Sequence, residues 1–139
     1  MLSESPSLGG FSGQEIIMKR FGQIIYLKPE CANEYVKQHA AVWPGVLKMI
    51  SDCNIQNYSI FKKDLVLFAY FEYVGTDFEG DMAKMASDSE TQRWWDVVKP
   101  LMQPIENRKV GEYWADMEEV FHLSPALSKG EGESKSQIL

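Results

Sequence analysis

The chain has 139 residues, enough for one domain and hardly two. Its 45% hydrophobic content can build a core without a disulfide or metal staple, and its net charge of −6 argues against nucleic acid as a partner, which needs a basic face. Cys31 and Cys53 form no CxxC and no zinc-spaced cluster, so free thiols in a reducing compartment are expected. No apolar run approaches the ~18 residues that span a bilayer, and the start lacks the pattern of a signal peptide. The expectation is a cytoplasmic protein with no membrane partner.

Residues 1–17 are rich in Ser and Gly and read as a flexible segment. Residues 124–139 are polar and poor in aromatics, which predicts a disordered tail. The folded domain is then 18–123. Phe21–Leu27 is an apolar, β-rich run closed by Lys28-Pro29, and reads as a strand. Asn33 is the expected cap of a following helix. Apolar residues at Tyr35, Val36, Val42, Trp43, Val46, Leu47 and Ile50 recur near helical spacing. Pro44 lacks an N–H and disfavours a helical Trp43, so a break is expected there with Pro44 opening a second helix.

Ile55–Phe61 and Leu65–Val74 are β-rich and joined by Lys62-Lys63-Asp64, a hairpin signal. Asp77–Ser87 and Thr91–Met102 predict two more helices, the second kinked or ended at Pro100. Glu106–Glu112 is polar loop, and Trp114–Leu123 is the expected last strand. Strand, helix, strand, strand, helix, strand is the α+β, ferredoxin-like split βαβ plan, with a four-stranded antiparallel sheet and helices on one face. The uncovered face predicts a homodimer packed sheet on sheet, a dimeric α/β barrel.

Two features carry chemistry. Tyr35 and His39 are four residues apart and Trp43 four further, so a continuous helix would place all three on one stripe. The bland account of that stripe is a core-facing row with a satisfied histidine. Trp94 and Trp95 are adjacent, and neighbours on a helix point about 100° apart. One can pack inward while the other edges a pocket, with ordinary half-buried packing as the alternative. Tyr58 could reach from a strand, or simply pack in the sheet. Aromatic rings with a few hydroxyls suit a sugar, whose C–H faces are apolar and whose hydroxyls need polar partners. His122 has no evident partner, and Asp116, Glu118 and Glu119 read as a solvated edge. No phosphate-loop, dinucleotide, serine-elbow or metal motif occurs.

The ordered blocks Glu34-Tyr35, His39, Trp43-Pro44, Asn57-Tyr58-Ser59-Ile60, Gln92-Arg93-Trp94-Trp95 and Met117-Glu118-Glu119-Val120-Phe121-His122-Leu123 resemble the L-rhamnose mutarotase family over about Arg20 to Leu123. The resemblance implies a dimeric ferredoxin-like enzyme, without metal or organic cofactor, that interconverts α and β anomers of a free 6-deoxyhexose. It places the proton-transferring histidine on His39, sugar contacts on Tyr35 and Tyr58, and the tryptophan pair on Trp94 and Trp95; the helical stripe, apart from the resemblance, offers Trp43 as a further pocket candidate. His39 would deliver a proton to the ring oxygen, and a tyrosine or bound water would handle the anomeric proton. The chain departs from the bacterial pattern at Ala40-Ala41 and in longer segments around Gly75–Gly80 and Arg108–Tyr113, expected near the pocket mouth. Competing expectations are a heme- or quinone-type monooxygenase of the same plan, a non-catalytic binding module, and a mutarotase acting on L-fucose.

Overall fold

A computed structural model describes residues 17–123; the expected flexible segment, but for Ile17, and the expected tail lie outside them. Strand β1 (Lys19–Leu27) is followed by a 3₁₀ turn over Pro29–Cys31 and helices α1 (Ala32–His39) and α2 (Pro44–Asp52). Strands β2 (Ile55–Lys63) and β3 (Val66–Tyr73) form the hairpin. Helices α3 (Phe78–Ala86) and α4 (Ser89–Val98) follow, then a 3₁₀ turn over Lys99–Leu101 and two short strands, β4 (Met102–Gln103) and β5 (Ala115–Met117).

The sheet is antiparallel in the order β2-β3-β1-β4, with β5 also on β1. This is the split βαβ order: β1 lies in the middle, its partner β3 separates it from β2, and the helices cover one face. The expected four-stranded sheet thus has five strands, its fourth position shared by β4 and β5. The expected strand over Trp114–Leu123 shrinks to three residues. Beyond it Val120 and Phe121 stand in solvent, so their apolar character marks surface.

Local chemistry accounts for the helix ends. Trp43 is extended (φ −63°, ψ 138°) and Pro44 fills the first helical position, as the proline requires. α1 begins at Ala32 after Cys31, one residue before the expected Asn33 cap, because the preceding 3₁₀ turn already winds the chain. Asp77 caps α3 by accepting from the Gly80 N–H at 3.0 Å. Asp88 caps α4 by accepting from both the N–H and the hydroxyl of Thr91 at 2.9 Å. Those bonds hold the Asp88 carboxyl below its usual range.

The inward residues of the central strands, Ile25, Leu27 and Leu67, are at most 2% exposed and pack with Tyr35, Val46, Trp94, Val98 and Met102. A second cluster joins Ile55, Phe71 and Tyr73 to Phe21, Phe78 and Met82. Cys31 and Cys53 are free thiols, the latter buried. No helix among the described residues is long and apolar enough to cross a membrane.

Candidate active site

Between the helices and the sheet lies a cavity of about 530 Å³, large enough for a monosaccharide. Tyr35 and His39 from α1, Tyr58 from β2, and Trp94 and Trp95 from α4 all line it. Five of the six residues singled out in the sequence therefore meet at one place. Trp43 does not: α1 ends at His39 and the chain turns, so Trp43 leaves the stripe. Its ring instead meets the edge of Trp94 at 5.3 Å, supporting the wall from behind. Of the two segments expected at the mouth, 108–113 supplies Tyr113 to the cavity, while residues 75–80 supply nothing to its lining.

The imidazole of His39 stacks on Tyr35 (centroids 4.0 Å apart) and meets Trp94 edge-on at 5.2 Å. Its Nδ1 lies 3.0 Å from the Tyr35 carbonyl oxygen. That oxygen can only accept, so Nδ1 carries the proton and Nε2 keeps its lone pair. Burial lowers the pKa of His39, and the bond to the carbonyl opposes this more weakly. The resting ring is therefore neutral, with one acceptor nitrogen.

The two phenols shift the other way. Burial raises Tyr58 to about 12 and drives Tyr35 well above the ordinary range, with the neighbouring Tyr58 adding to the latter. Tyr58 nevertheless keeps 40% of its surface open, as a ring lining a cavity does. Both hydroxyls stay protonated and can donate. One acceptor and two donors on an aromatic wall suit a polyhydroxylated ligand with an apolar face.

Further lining residues were not singled out in the sequence. The Lys99 ammonium lies 4.5 Å from the Trp95 ring centre and 5.2 Å from that of Tyr113. The Tyr113 hydroxyl donates to the Lys99 carbonyl at 2.6 Å, pinning the 104–114 segment to the end of α4. Trp114, Met85 and Thr91 complete part of the wall. The pairing of Tyr113 with Trp114 in a polar stretch was the available signal. Among the described residues no group of three or more His, Cys, Asp or Glu could hold a metal ion. His122 lies at the surface, 3.9 Å from Glu119, away from the cavity lining.

A family model described as L-rhamnose mutarotase matches residues 20–123. An L-rhamnose mutarotase of Oceanobacillus iheyensis is 36% identical over 108 residues, covering 76% of this chain and 99% of the relative. The L-rhamnose mutarotases of Lactiplantibacillus plantarum and Phocaeicola vulgatus are 34% and 35% identical over the same shares. The crystal structure of an L-rhamnose mutarotase from Formosa agariphila is 23% identical and superposes with a TM-score of 0.58, over 76% of this chain and 99% of that one. It supports the α+β fold.

Proposed function

The chain belongs to the L-rhamnose mutarotase family, and on that premise we propose that it interconverts the α and β anomers of L-rhamnose by opening and reclosing the pyranose ring at His39. The observation that carries this reading is an imidazole whose Nδ1 lies 3.0 Å from the Tyr35 carbonyl oxygen and which lines an aromatic cavity of sugar size.

Opening breaks the anomeric O–H and the C1–O5 bond and forms the aldehyde and an O5–H bond. The two oxygens share C1, so one nitrogen can serve both. Neutral His39 takes the anomeric proton through Nε2, directly or through a tyrosine hydroxyl or bound water. The resulting imidazolium delivers it to the ring oxygen. After the aldehyde turns about C1–C2, the steps reverse on its other face, and no proton is gained or lost overall. Such acid–base assistance is worth typically ~10²–10⁴-fold. Tyr35 and Tyr58 hold sugar hydroxyls by donating to them. Trp94 and Trp95 receive the apolar face and the C6 methyl.

The working unit is a homodimer. The outer face of the sheet exposes Tyr26, Phe61, Val66, Phe68 and Met117, an apolar surface that a second copy can cover through a two-fold axis. The compartment is the cytoplasm, in keeping with two unpaired thiols. The family match and the names of the relatives favour this reading over a monooxygenase or a binding module.

Saturation-transfer NMR of L-rhamnose, L-fucose and D-glucose tests it. The expected result is accelerated anomer exchange, fastest for L-rhamnose. Exchange no faster than in buffer for all three would sink the assignment.

A further inference from the structure

Strand β2 does not run with a regular alternation. Ile55 faces the helices, opposite Tyr73, and Gln56 pairs with Glu72. The next pairs are Ser59 with Tyr70 and Ile60 with Ala69. Asn57 and Tyr58 together therefore oppose the single residue Phe71, a β-bulge. In an unbroken strand Asn57 and Ser59 would follow Ile55 inward, and Tyr58 and Ile60 would face outward. The extra residue reverses this. Tyr58 turns into the cavity with its ring 5.5 Å from that of Phe71, and Ile60 packs on the core.

Asn57 is the residue that makes the slip. Its φ of +52° is left-handed, a conformation that asparagine tolerates better than most side chains. Its amide donates to the Glu72 carboxylate at 2.7 Å. The same carboxylate accepts from Gln56 at 3.2 Å and from the Tyr70 hydroxyl at 2.8 Å. Three donors from two strands thus converge on one acid on the face opposite the cavity. These bonds, that of Asn57 foremost, hold the Glu72 carboxyl below its usual range.

We infer that Asn57, clamped to Glu72, is a positioning residue that aims Tyr58 into the sugar cavity from the far side of the sheet. The inference rests on the assignment of Tyr58 to substrate. Bulges re-aim side chains beside active sites, and a misplacement of about 1 Å can cost ~10²-fold in rate. Asn57 touches no cavity surface itself, so it acts only through Tyr58.

The test is a double-mutant cycle read by L-rhamnose exchange. Asn57→Val, whose branched side chain resists positive φ, should lower kcat/KM by roughly 10–100-fold. Asn57→Gly, which accepts the angle but lacks the amide, should lose less. Glu72→Ala removes the acceptor and should act in the same direction. In a Tyr58→Ala background, Asn57→Val should have little further effect, whereas a merely structural residue would add its loss to that of Tyr58. Multiplying losses, or an Asn57→Val enzyme as active as the parent, would overturn the inference. A readout without activity is the nuclear Overhauser contact between the Tyr58 and Phe71 rings, expected to fade in Asn57→Val and to persist in Asn57→Gly. Its persistence in both would also overturn it. If the parent exchanges no L-rhamnose yet this contact responds as expected, the activity assignment fails while the aiming of Tyr58 stands.

Discussion

The two faces of the sheet are both rich in aromatic residues, and they are built for different tasks. Toward the helices the rings line a cavity and hold three titratable groups whose protonation burial has shifted: His39 toward neutral, Tyr35 and Tyr58 toward permanent protonation. Away from the helices, Tyr26, Phe61 and Phe68 lie on the surface, 42%, 61% and 37% exposed. Gly22 leaves room there for the Phe68 ring, which would lie 3.2 Å from an added Cβ. Aromatic content alone therefore does not mark a site. Concavity and trapped ionisable groups do, whereas an exposed apolar face without them asks only to be covered.

The comparison can be broken most severely at His39. Asn in its place keeps the size and loses the base, so anomer exchange should drop by ~10²–10⁴-fold with little change in thermal unfolding. An equally large loss from an outer-face substitution in an intact protein would erase the distinction. Next comes packing. Leu67→Ala on the buried face should cost about 2–5 kcal/mol in chemical denaturation, whereas Phe61→Ala on the outer face should cost far less in the monomer. Equal costs would mean that both faces are core. Third, the proposed homodimer on this face predicts a dimer mass in sedimentation that Phe68→Glu lowers to the monomer while leaving the fold intact; a parent already at monomer mass, or a mass unchanged by the substitution, would remove this face as a dimer interface.

A smaller effect concerns Trp95, which is half-buried and carries Lys99 on its ring. Trp95→Ala should weaken sugar binding, measured by titration, more than it lowers the melting temperature. The smallest lies at the α4 cap. The Asp88 pKa is depressed in the folded chain, so its stabilising effect is present above the unfolded carboxylate value and is lost as pH falls through the folded one. Asp88→Ala should accordingly flatten the acid side of the stability curve.

Much of the site was legible because it is local. The four-residue spacing of Tyr35 and His39 sets them on one face of a helix, and Pro44 announces the break that follows. Trp43 falls off that face because α1 stops at His39, before Pro44 opens the next helix. The last strand is only Ala115–Met117 because the apolar residues beyond it, Val120 and Phe121, face solvent and give the sheet nothing to bury. Lys99 and Tyr113 are 14 residues apart and meet only through tertiary folding, so no periodicity could pair them. The bulge left a trace, since Ile55, Tyr58 and Ile60 cannot share a face at period two, but hydrophobic content alone does not show it.

The central claim is that a neutral His39 imidazole starts the reaction. Its folded pKa is lowered, so the neutral form dominates above the ordinary histidine value of ~6.5 and persists somewhat below it. The pH dependence of L-rhamnose exchange at saturating sugar is the direct test. The account predicts a plateau around neutrality and an acid limb falling below ~6.5, coincident with the NMR titration of the His39 ring. A rate that rises as the imidazole becomes protonated would contradict it.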